Sequence, residues 1–138
     1  MREIIFRGKR IDNGEWIEGH YTKCRGETFI GIDTSSMFEI FCPPVIRWFK
    51  VSSETLCQFT GLYDKNGNKI WENDILMAHL DKSYPEDATY ETIEWGVAGW
   101  VAHEANSIDR QYLDEFDLEH YEVVGNIFDN KELLQEEH

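Results

Sequence analysis

The sequence predicts a mainly β fold, a small barrel-like or sandwich single domain of short antiparallel strands carrying two or three short helices. Three observations predict it. Short runs rich in Val, Ile, Phe, Tyr and Trp recur along the chain, separated by Gly, Asn and Asp, which is the spacing of a small all-β protein. No strand-like run alternates with a long helical one, as a parallel α/β fold requires. The 138 residues suit one core, and no internal repeat, low-complexity tract or linker divides them.

Residues 3–23 read as a first hairpin. Ile4 and Phe6 alternate with charged neighbours, Asp12-Asn13-Gly14 supplies the turn, and Trp16, Ile17 and Tyr21 give the second strand. Thr28 to Ile32 is a third strand, rich in β-branched residues. The chain turns from Asp33 to Ser36, and Cys42-Pro43-Pro44 interrupts any regular element, because proline donates no backbone hydrogen bond. Val45 to Val51 is again strand-like. Ser52-Ser53-Glu54-Thr55 predicts one helical turn capped by a serine oxygen.

The stretch from Val51 to Ile75 organises the chain. Its centre, Asp64-Lys65-Asn66-Gly67, lies between Phe59/Leu62 and Ile70/Trp71/Ile75. Asp and Asn tolerate a tight backbone and Gly67 takes positive φ, so a hairpin is expected. Ile75 to Ala78 reads as a buried strand and residues 80–90 as a surface loop. Glu91 to His103 reads as two short strands around Gly96 and Gly99. Ile108, Tyr112 and Phe116 fall at i, i+4 and i+8, which predicts a helix over 108–117 capped by Ser107. Tyr121 to Phe128 is the last strand, followed by a short terminal helix over 131–137 with Leu133 and Leu134 packing back.

The net charge of −14 is uneven. Residues 1–50 hold 8 Lys/Arg against 7 Asp/Glu, and residues 76–138 hold 3 against 16. The acidic half disfavours direct nucleic-acid binding, which needs cations to displace counterions. No apolar run reaches the roughly 18 residues of a membrane helix, and the charged start predicts no signal peptide. Cys24, Cys42 and Cys57 are odd in number and widely spaced, the pattern of reduced cytosolic thiols.

Three groups of residues resemble a known family. They are Arg2-Glu3-Ile4 and Phe6-Arg7-Gly8-Lys9 with Gly14-Glu15-Trp16; Gln58 to Leu62 with Asp64-Lys65-Asn66-Gly67 and Glu72-Asn73-Asp74-Ile75; and Val123 to Asn130 with Leu133-Leu134. Together they resemble the YopX family of small phage and prophage proteins. The chain departs from the family pattern at Cys57 and Asn73, where Gly is usual, and at Trp71, where Tyr or Phe is usual. The resemblance implies a phage or prophage origin and residence in the bacterial host cytoplasm, and it implies no reaction.

The residues themselves spell out no chemistry either. Asp64-x-Asn66-x-Asn68 opens like a calcium loop, but Lys69 stands where Gly is needed and Ile75 where the bidentate Glu is needed. The five histidines are isolated, so zinc would require ligands gathered by folding, with a core thiol and a surface imidazole as the ordinary fates. Glu72 and Asp74 are alternate residues, placed to share one face of a strand end. Such a pair serves acid–base chemistry or holds Mg²⁺, or it accepts backbone N–H groups beside a turn, the role favoured here. The candidate motif is therefore Asp64, Asn66, Gly67, Trp71, Glu72 and Asp74, with no catalytic set, metal or cofactor expected. The leading expectation is a non-enzymatic accessory protein that binds a host or phage protein or assembles with itself as a homo-oligomer, without membrane or direct nucleic-acid contact. Two alternatives stand beside it: an acidic DNA mimic that inhibits a host nucleic-acid enzyme, and a small metal-dependent hydrolase using Glu72 and Asp74.

Overall fold

The structure, a computed structural model, describes residues 4–33, 46–79, 88–96, 99–104, 111–113 and 120–134. Its backbone gathers into two compact units, Met1–Phe59 and Thr60–His138. Eleven strands are described, and they form two antiparallel sheets.

Unit 1 holds β1 (Phe6–Lys9), β2 (Trp16–Cys24), β3 (Glu27–Asp33), β4 (Ile46–Val51) and the start of β5 (Cys57–Tyr63). They lie in the order β4-β3-β2-β1-β5. The first hairpin forms as its sequence predicts, Phe6 opposite Gly19 and Lys9 opposite Trp16. Alternation sorts the two faces. Gly8, Thr28, Ile30 and Val51 are buried on one face. Arg7, Lys9 and Trp16 share the other, with Arg7 4.6 Å and Lys9 5.5 Å from the Trp16 ring centre. The sheet curls until the end of β4 returns to the end of β1. Ile11 N–H donates to Lys50 at 3.1 Å and Ser52 N–H to Lys9 at 2.8 Å. One isolated bridge, Arg10 to Val51, is all this return achieves. The barrel closure allowed by the sequence reading is thus absent among the described residues.

Unit 2 continues β5 alongside β6 (Lys69–Trp71) and adds β7 (Asp74–His79), β8 (Ala88–Trp95), β9 (Trp100–Glu104), β10 (Gln111–Tyr112) and β11 (Tyr121–Asn126). The last five form a sheet in the order β10-β9-β8-β7-β11. Its core packs Ile70, Leu76, Ala78, Ile93, Trp100, Ala102 and Tyr121. Burying several such side chains contributes roughly 1.5–3 kcal/mol each.

Among the described residues, the predicted helices shrink to two single 3-10 turns, Ser53–Thr55 and Lys131–Leu134. No Ser52 side chain caps the first. Instead the Thr55 hydroxyl donates to Ser52 O at 2.8 Å and accepts from Lys9 N–H at 2.9 Å. Within the stretch predicted as helix, Gln111–Tyr112 is a strand paired to Ala102 and Val101. Long-range pairing with the edge of β9 overrides the local i, i+4 pattern there. Strand β8 begins at Ala88 and pairs Thr89 with Ala78, so the predicted loop ends earlier than residue 90. The prolines, the turn after Asp33, the rest of that loop, Ser107, Ile108 and Phe116 lie outside the described residues.

Candidate functional site

The Asp64–Asn68 turn joins β5 to β6 as its sequence predicts. Asp64 N–H donates to Asn68 O at 2.9 Å, and Gly67 N–H donates to Asp64 O at 3.0 Å. Gly67 takes φ +82. No atom lies within 4 Å of a Cβ built there, so any side chain is penalised by backbone strain alone. Gly67→Val is expected to cost about 1–3 kcal/mol, read as a drop in melting temperature. An unchanged melting temperature would contradict the strained turn.

Asp64 is 6% exposed and spends both carboxylate oxygens inside the fold. Oδ1 accepts from Asn66 N–H at 2.9 Å and from Asn68 N–H at 2.8 Å. Oδ2 accepts from Val123 N–H on β11 at 2.9 Å and from the Asn68 amide at 3.3 Å. Burial pushes the Asp64 pKa up. The N–H groups of Val123, Asn68 and Asn66 and the Asn68 amide together outweigh it and hold the carboxyl below its ordinary range. The same turn grips β11 a second time, through Lys65 N–H to Tyr121 O at 3.1 Å. Asn66 also reaches Glu122 through its amide at 3.4 Å. The oxygens that would face a calcium ion face amide protons.

Trp71 and Asp74 form the next joint. Asp74 is 1% exposed and Trp71 3%, and Asp74 Oδ2 accepts Trp71 N–H at 2.8 Å. Between them the chain turns at Glu72-Asn73. Asn73 takes φ +68, with its N–H on Ile93 O at 2.8 Å and its carbonyl accepting Ile127 N–H at 3.0 Å. Asn tolerates this left-handed position better than most residues with a side chain. The period of two that would align Glu72 with Asp74 does not run through a turn. Asp74 sinks into the fold, and Glu72 stays half-buried.

A third joint lies in the Val123 to Asn130 stretch, outside the candidate motif. Asn126 is buried, and its Oδ1 accepts from Phe128 N–H at 3.0 Å and Asp129 N–H at 2.9 Å. Asn130 Oδ1 accepts Asn126 N–H at 3.2 Å. The repeated short polar side chains in Gly-Asn-Ile-Phe-Asp-Asn were the clue to this Asx cap. Among the described residues, no group of three or more His, Cys, Asp or Glu side chains is placed to hold a metal ion. No described helix is long and apolar enough to cross a membrane.

Several large apolar side chains also face outward. On β4, Ile46 and Trp48 are each 46% exposed. Arg47 beside them is exposed, and its side chain makes no ion pair among the described residues. Tyr112 on β10 is 52% exposed and Trp95 on β8 is 56%.

Comparison with known proteins gives the family of the chain. The family model described as YopX protein matches residues 5–135. A search of curated proteins finds no match. The crystal structure of protein EF1440 from Enterococcus faecalis is similar, with a TM-score of 0.63 at 22% identity, covering 98% of this chain and 100% of that one. That likeness is one of fold. The chain belongs to the YopX family.

Proposed function

We propose that this YopX-family chain is a non-enzymatic protein-binding module, a phage or prophage accessory protein of the bacterial host cytoplasm that assembles with copies of itself. The observation that carries this reading is the outer strand β4, where Ile46 and Trp48 stand exposed beside the exposed Arg47. Tryptophan and arginine on an open strand edge are the composition of an interface hot spot. The buried carboxylates point the same way. Asp64 and Asp74 serve backbone N–H groups, which takes them out of acid–base work and metal holding.

Light scattering at micromolar concentration tests the assembly. The expected mass is a multiple of the 16.3 kDa chain, unchanged between roughly 0.05 and 1 M salt, because screening to about 3 Å leaves apolar and backbone contacts intact. A monomer at those concentrations would contradict the self-assembly reading.

A second reading draws on charge. Unit 2 (Thr60–His138) holds 5 Lys/Arg against 19 Asp/Glu, and β8–β9 pairing sets Glu91 directly opposite Glu104. A surface so acidic suits a basic enzyme, as with a mimic of DNA. Neither reading expects a gel shift of duplex DNA.

A further inference from the structure

We infer that copies of this chain join head to tail, the edge of β4 in one copy pairing with the edge of β10 in the next. This rests on the self-assembly reading above and adds its geometry. The two sheets present four outer edges, those of β4, β6, β10 and β11. Two are occupied from within the chain. The outward groups of β11 are taken by the Asp64 turn, Tyr121 O by Lys65 N–H and Val123 N–H by Asp64. In β6, Ile70 and Trp71 are buried, and Trp71 N–H is held by Asp74.

The other two edges keep outward groups without a partner among the described residues, at Ile46 and Trp48 on β4 and at Tyr112 on β10, while the far end of β4 is taken by the end of β1. Lys50 O on β4 points away from β3, since it accepts Ile11 N–H. Backbone groups alternate along an antiparallel strand, so Ile46 and Trp48 also present N–H and C=O outward. On β10, Leu113 N–H turns inward to Trp100 O. The same alternation turns Tyr112 outward. Each open edge is therefore marked by an exposed aromatic residue, Trp48 or Tyr112.

Charge decides which edges meet. Unit 1 (Met1–Phe59) holds 8 Lys/Arg against 8 Asp/Glu, and unit 2 holds 5 against 19. β4 itself carries Arg47 and Lys50 and no acidic residue, and since Lys50 pairs with Glu27 of β3 at 2.7 Å, Arg47 carries the strand's positive charge. A β4–β4 contact gathers cations, and a β10–β10 contact joins two acidic units. Joining β4 to β10 sets the cationic strand against the acidic unit, with Trp48 and Tyr112 as a hydrogen-bonded cross-strand pair. Such an interface joins unlike patches, so it closes a ring or grows a filament.

Two exposed-site variants separate the possibilities. Trp48→Lys blocks one edge and Tyr112→Lys the other, each with the residue that natural edges use against pairing. Light scattering should report the mass of a single chain for each variant alone. An equimolar mixture should give twice that mass, because one intact β4 edge then meets one intact β10 edge. Circular dichroism matching the wild type confirms that each variant is folded. If a misfolded Trp48→Lys clouds the result, Arg47→Glu serves at the same edge. Assembly by Tyr112→Lys alone would mean β4–β4 pairing and would overturn the inference. Assembly by Trp48→Lys alone would mean β10–β10 pairing, and a mixture of monomers would overturn it too. A monomeric wild type would instead remove the self-assembly reading beneath it.

Discussion

Asp64→Ala is expected to lower stability by about 3–5 kcal/mol, much of the margin of an ordinary domain. The change strips partners from Asn66 N–H, Asn68 N–H and Val123 N–H together. A buried donor left unsatisfied costs about 1–3 kcal/mol, and the turn keeps only its Lys65 and Asn66 contacts to β11. Asp64→Asn keeps the shape and forfeits the charge, so it should fall in between. Acid should show the same effect in the wild type. Because folding lowers the Asp64 pKa, its stabilisation is complete above the ordinary value of 3.8 and fades as pH falls through the lower folded value. Urea melts of wild type and Asp64→Asn should therefore converge as the pH drops below that range. Curves separated equally at every pH would show that the carboxylate is not the stabilising group.

Gly19→Ala should be equally severe in unit 1. A Cβ at Gly19 would lie 2.2 Å from the carbonyl oxygen of Gly31 and 3.2 Å from Ile30 Cγ2. The obstacle is backbone of the neighbouring strand, and β2 and β3 must part for the methyl group to fit. The expected loss is about 3 kcal/mol or more, at the upper end of overpacking. Thr22→Ala, at an exposed site on the same strand, should stay within about 0.5 kcal/mol. Similar melting temperatures for the two variants would contradict the close approach of β2 and β3.

What could be foreseen in the sequence was local. The Asp64 turn was legible because Asp, Asn and Gly announce their own backbone within four residues. The strands before and after it were legible from alternation. Val123, which completes the Asp64 site, lies 59 residues away, and no local pattern connects them. Gly19 looks like any strand glycine until β3 is laid beside it. The helix expected over 108–117 was misread for the same reason, since the partner of Gln111 and Tyr112 is an edge that exists only after folding. Glu72 and Asp74 read as a pair in a strand end. The turn at Asn73 separates them.

Amide hydrogen exchange across a concentration series tests the central claim, that the buried carboxylates hold the fold and the open edges carry function. The Asn68 and Val123 amides should be protected at every concentration, because Asp64 accepts them within one chain. The Trp48 and Tyr112 amides should exchange fast in dilute solution and become protected together as the concentration rises. Contradiction would come from Val123 exchanging freely in folded protein, or from Trp48 and Tyr112 staying unprotected while the protein assembles.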